Sequence, residues 1–85
     1  FKMHSAFPNP FNPSTMLSYT LPKNGNVTIR LLDLRGRVLK THRMGKQNAG
    51  QHLFKLDGRN LSSGSYIAQV EAAGSVLNQK ITLLK

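Results

Sequence analysis

The tightest constraint on this chain is a repeat of two. Short runs alternate apolar and polar residues, and clusters of turn-forming residues cut the runs apart. Leu17, Tyr19 and Leu21 alternate with Ser18 and Thr20, and Val27, Ile29 and Leu31 alternate with Thr28 and Arg30. Side chains of a strand point to opposite faces in turn, so each run reads as a strand with one buried face. No window of helix length carries apolar residues at three- and four-residue spacing. The fold class is therefore all-β.

Turn signals set the boundaries. Pro22-Lys-Asn-Gly-Asn26 separates the first two strands. Leu34-Arg-Gly-Arg37 reads as a tight turn with Gly36 at positive φ. Val38 to Met44 is a weaker strand, since His42 and Arg43 break its apolar pattern, and Gly45 to Gly50 reads as a loop. His52, Phe54 and Leu56 share one face against Leu53 and Lys55. Asp57-Gly-Arg-Asn60 and Ser62-Ser-Gly64 are turns, followed by a strand from Ser65 to Ala72 with Tyr66, Ala68 and Val70 on one face. Ala73-Gly-Ser75 closes a hairpin onto a last strand, Val76 to Leu84. Six or seven short strands at roughly 8–12-residue spacing imply a sandwich or barrel.

The first 14 residues differ. Phe7-Pro-Asn-Pro-Phe-Asn-Pro-Ser14 holds three of the four prolines. Proline fixes φ and drives the preceding residue out of the helical region, so this stretch is extended or turned. Phe7 and Phe11 are expected to anchor it to the core. The chain divides into a proline-rich entry segment, residues 1–14, and a β-sandwich domain, residues 15–85. It begins at Phe1 without an export signal and reads as a piece of a longer protein.

Several function classes fall away. With no Cys, a disulfide, a thiolate metal site and a cysteine nucleophile are impossible. No apolar run approaches the roughly 18–20 residues that span a bilayer. Asp33 and Asp57 sit beside turns, where aspartate commonly stabilises the turn itself, and Glu71 reads as a solvated strand residue. His4, His42 and His52 match no ligand spacing, and Ser14, Ser18 and Ser62-Ser63 lack a nucleophile's context. Gly36, Gly45 and Gly50 form no phosphate loop. No catalytic residue, metal or cofactor is expected.

Charge points to partners. The chain has 12 Lys plus Arg against 3 Asp plus Glu, a net charge of +9. Half of the cations, Arg30, Arg35, Arg37, Lys40, Arg43 and Lys46, cluster on two adjacent strands and their turn, opposed only by Asp33. Together they would form a basic patch suited to nucleic acid, anionic polysaccharide or an anionic surface. Single-strand nucleic-acid binders add exposed aromatic platforms. Tyr19, Phe54 and Tyr66 all fall on core faces here, so nucleic acid is disfavoured.

The motifs in order resemble a known family. Phe7-Pro-Asn-Pro-Phe-Asn-Pro-Ser-Thr15 resembles the opening of the C-terminal sorting domain of type IX (Por) secretion. Asn26-Val to Leu34 with Gly36-Arg37, Ala49-Gly50 with His52, Leu61-Ser-Ser-Gly-Ser-Tyr66 and the closing Lys80-Ile-Thr-Leu-Leu-Lys85 follow in that family's order. The resemblance implies an immunoglobulin-like β-sandwich of about seven short antiparallel strands, with Lys85 as the natural end of the parent. It implies a non-catalytic address on a cargo N-terminal to Phe1, read by the outer-membrane secretion machinery. The parent would then be secreted or held at the cell surface, by way of the periplasm and outer membrane. Pro8, Asn9, Pro10, Gly36, Lys80 and Lys85 become the candidate sorting residues. Leu56 stands where the family often has Trp. The charge is also unusual for the family and resembles the basic terminal domains on fibre-degrading enzymes of Fibrobacter. That likeness implies a polysaccharide-degrading or surface parent. The alternative is a basic adhesion module binding anionic surfaces or plant cell-wall polysaccharide.

Overall fold

A computed structural model describes residues 1–85. Seven strands form: β1 (Lys2–Met3), β2 (Ser14–Leu21), β3 (Gly25–Leu32), β4 (Val38–Gln47), β5 (Gly50–Asp57), β6 (Gly64–Ala72) and β7 (Ser75–Leu83). They make two antiparallel sheets, ordered β1-β2-β5 and β4-β3-β6-β7. Fold class and strand number match the sequence expectation. This is the immunoglobulin-like sandwich arrangement, with the fourth strand on the larger sheet. A further hallmark is Tyr66, near the start of β6, whose hydroxyl donates back to the Ser62 carbonyl.

The alternation read from the sequence becomes the core. Leu17 and Tyr19 of β2, Val27, Ile29 and Leu31 of β3, Ala68 and Val70 of β6, and Ile81 and Leu83 of β7 all turn inward and are buried. Each fully buried aliphatic side chain contributes about 1.5–3 kcal/mol relative to exposure. Leu56 of β5 is buried with them. No buried side-chain nitrogen or oxygen lacks a partner. Tyr19 reaches Gln47 with its hydroxyl; burial pushes its phenol pKa up, and that hydrogen bond partly offsets the shift.

Three expectations need correction. Phe7 is 79% exposed. It lies opposite Met16 in an isolated bridge, on the outer face of the small sheet, so of the two phenylalanines only Phe11 reaches the core. The presumed loop Gly45 to Gly50 is mostly strand, because β4 continues to Gln47 and β5 begins at Gly50. Two register shifts, between Val27 and Thr28 and between Leu31 and Leu32, carry β4 through its irregular polar stretch. Glu71 is not simply solvated; it holds Arg30 at 2.7 Å.

The connections sort to two ends. The β2–β3, β4–β5 and β6–β7 turns share the upper end, and the β3–β4 turn, the β5–β6 loop and Leu84–Lys85 share the lower end. The β6–β7 turn has Ala73 at φ 52° and Gly74 at φ 75°, the type I′ geometry of a two-residue hairpin. Lys2 pairs with Thr20 near the upper end. Phe1 and Lys85 therefore leave the sandwich at opposite ends.

Candidate recognition surface

The proline-rich segment crosses between the sheets as a strap. Its first half follows the β2 edge: the His4 N–H donates to the Ser18 carbonyl (2.9 Å), and Phe7 and Met16 exchange backbone bonds (3.2 and 3.0 Å). Its second half follows β7: the Phe11 N–H donates to the Thr82 carbonyl (2.9 Å), and the Leu84 N–H donates to the Phe11 carbonyl (3.0 Å). Pro8 lies at the crossing. Its carbonyl accepts the hydroxyl of Thr15, the one buried polar side chain, at 2.7 Å. A proline can occupy this position because no N–H is needed from it.

Asn9 acts as a substitute peptide group. Its amide oxygen accepts from the Thr82 N–H (3.0 Å) and its NH2 donates to the Lys80 carbonyl (3.2 Å). These two bonds extend the edge pairing one step beyond the backbone bonds of Phe11. Gln79 completes the attachment, accepting from the Ala6 N–H (2.7 Å) and donating to the His4 carbonyl (2.9 Å). Sequence reasoning missed Gln79. The signal was present: a polar residue in the inward parity of Leu77, Ile81 and Leu83 needs a partner.

Phe11 seats the strap. It is 2% exposed and packs where Gly58 approaches so closely that an added Cβ would lie 2.9 Å from its ring and 3.1 Å from Leu83. The Gly58 N–H also donates to the Pro13 carbonyl at 2.7 Å. Gly58 read as a turn residue in the sequence; its structural demand is the lack of a side chain under Phe11.

The candidate sorting residues fall in two places. Pro8, Asn9, Pro10 and Lys80 meet along the strap and β7, with Lys85 just beyond at the lower end. Lys85 is tied there by its N–H to Ser63 Oγ (3.0 Å) and its Nζ to the Arg59 carbonyl (2.8 Å). Gly36 sits in the β3–β4 turn at φ 88°, the positive value its sequence context implied. Asp33 organises that turn, accepting from the N–H groups of Arg35 and Arg37 (both 2.9 Å) and from Arg37 Nε (2.7 Å). The backbone bond from Arg37 leads in holding its carboxyl below the ordinary range. Asp57 repeats the device with Arg59, whose side-chain bond leads in lowering its pKa.

The basic candidates do not act alike. Each of the three acids holds an arginine: Arg30 with Glu71, Arg37 with Asp33 and Arg59 with Asp57, each at 2.7 Å. Lys40 turns inward and donates to the Asp57 carbonyl (3.2 Å). The side chains of Arg35, Arg43 and Lys46 have no hydrogen-bond or ion-pair partner. Arg43 and Lys46 share the outer face of the large sheet with Arg30, while Arg35 is at the lower end. The three histidines are used locally. His4 bonds Thr20 Oγ1, His52 bonds the Asn48 carbonyl and stacks on Tyr19, and His42 lies against Phe54.

The strap and the terminal strand are bonded into one continuous surface. The family of secretion system C-terminal sorting domains matches residues 5–84. The chain belongs to that family. The sorting domain is a signal for the type IX secretion machinery, not an enzyme, and it directs an attached cargo across the outer membrane to the cell surface or beyond. A search of curated proteins finds no match.

Proposed function

We propose that the secretion machinery reads the strap and the lower half of β7 as one folded surface, with Pro8, Asn9, Pro10, Lys80 and Lys85 as its contact residues. The observation that carries this is the double hydrogen bond from the Asn9 amide to Lys80 and Thr82. It makes the opening motif and the closing motif a single edge, although 71 and 73 residues separate the partners in sequence. The strap is the entry segment from the cargo, and its placement on β7 couples the junction to the signal. Gly36 shapes a second exposed feature at the same end as Lys85.

The test is export of a reporter fused ahead of residues 1–85, in a host with this secretion system. Deletion of Lys80 to Lys85 is expected to abolish export. That deletion also removes the buried Ile81 and Leu83, so Lys80→Glu combined with Lys85→Glu is the folded counterpart. Full export of this charge-reversed fusion would remove the two lysines from the signal.

A second reading has one observation in its favour: Arg43 and Lys46 face solvent together with no carboxylate partner. Such a face suits an anionic polysaccharide of the plant cell wall or an anionic cell surface. The domain would then be retained on polygalacturonate at low salt and released as salt rises. Equal behaviour of the wild type and an Arg43→Ser, Lys46→Ser double variant would rule out this face.

A further inference from the structure

The sandwich has a long strand edge that nothing covers. Met16 and Ser18 of β2 direct their backbone groups to the strap, so Thr15, Leu17, Tyr19 and Leu21 direct theirs to β5. The bonded partners on β5 are then Leu56, Phe54, His52 and Gly50. It follows that the N–H and C=O groups of Gln51, Leu53 and Lys55 point off the sheet. None of them has a protein partner, and all three residues are exposed. The edge stops at Asp57, whose carbonyl is taken by Lys40.

Other edges are defended. The strap covers the lower half of β7, β4 carries two register shifts, and β1 is two residues long. Shifts, short strands and covers are standard protections against added strands. In contrast, β5 pairs with β2 in unbroken register over its full length, Gly50 to Asp57. Its only deterrent is Lys55.

The face beside this edge is apolar and basic. Leu53 is 65% exposed, and Met16 with Phe7 continues the apolar surface across the small sheet. Lys55 lies directly opposite Met16, and Lys2 is on β1 of the same sheet. The one carboxylate at its margin, Asp57, is already held by Arg59. A second copy of the chain is a poor occupant, since each carries a net charge of +9. An acidic strand is a good one, because charge complementarity turns Lys55 from a deterrent into a selector.

We propose that the β5 edge binds an extended protein segment of alternating acidic and apolar residues, adding a strand to the small sheet. Backbone bonds to Gln51, Leu53 and Lys55 supply the pairing. The segment's acidic side chains share the outer face with Lys55, and its apolar ones turn to the inner face beside the partly buried Phe54. The β5 edge is the edge of the small sheet opposite the strap, with β2 between them, so its failure leaves the proposed sorting residues untouched.

The probe is a synthetic heptapeptide alternating glutamate and valine, titrated into residues 1–85 while amide exchange is followed by NMR. The Gln51, Leu53 and Lys55 amides should slow by roughly tenfold or more at saturation, as edge amides do when they become paired. Leu53→Pro should abolish binding, since the lost N–H points away from β2 and the fold can tolerate it. Lys55→Glu, which keeps the backbone intact, should weaken binding by roughly tenfold. The proposal is overturned if protection appears on Val76 and Asn78 instead. It is equally overturned if a lysine-valine peptide binds as well, or if the glutamate-valine peptide leaves all three amides unchanged.

Discussion

The two sides of this sandwich are built differently. On one side the strap joins β2 to β7, bonding first to one sheet and then to the other, with Phe11 buried beneath it. On the other side β4 and β5 face each other with only side chains between them: Lys40 reaches the Asp57 carbonyl, and His42 lies 5.0 Å from Phe54 between ring centroids. The closed side uses backbone bonds and a buried aromatic ring. The open side uses partly exposed polar and aromatic contacts. Local stability follows buried apolar contact and protected backbone bonds, so the closed side should open last. Under the proposed reading, this rigidity holds the strap and β7 in one fixed surface.

The sharpest way to break the contrast is to empty the closed side. Phe11→Ala should destabilise the domain by about 3–5 kcal/mol. Phe54→Ala on the open side should cost roughly 1–2 kcal/mol, because Phe54 is only partly buried. Urea denaturation of both variants measures the difference, and equal losses would erase the distinction. Gly58→Ala tests the same anchor from beneath. Its new methyl would press on Phe11 and Leu83, and a loss of about 1–3 kcal/mol is expected.

Asn9→Ala comes next in size. It removes two bonds at an exposed edge and should cost about 1 kcal/mol. The Thr82 amide should exchange faster by NMR, while the backbone-bonded Leu84 amide should change less. Acid titration probes the lower end, which both sides share. The carboxyls of Asp33 and Asp57 are held below their ordinary value of 3.8. A lowered folded pKa stabilises above the unfolded value, and that stability is lost as pH falls through the folded one. The urea midpoint should therefore drop below about pH 4. Asp33→Asn with Asp57→Asn should flatten that drop.

How much of this was legible in the sequence depends on the kind of contact. Period-two alternation identified β2, β3, β6 and β7, because each buries one face against the other sheet. It was weaker at β4, which it ended at Met44, because Lys40 and His42 occupy the inward parity and two register shifts absorb the irregular stretch. Gly36 declared its positive φ through the turn around it. Phe7 misled because apolarity alone does not tell which side of a strap a residue takes; pairing with Met16 turns it outward. Asn9 stood out within the motif, but its partners lie at the far end of the chain, and no local pattern encodes a contact of that separation. The basic run between Arg30 and Lys46 was visible as charge. Its division into an ion pair with Glu71, another with Asp33, an inward Lys40 and three free cations required the fold.

The central claim is that strap and terminal strand are read together. The most direct measurement is export of reporter fusions carrying either Asn9→Ala or the Arg43→Ser, Lys46→Ser pair, each first shown to be folded by circular dichroism. Loss of export for Asn9→Ala, with normal export for the double variant, is the predicted result. Normal export of the folded Asn9→Ala fusion would contradict the claim.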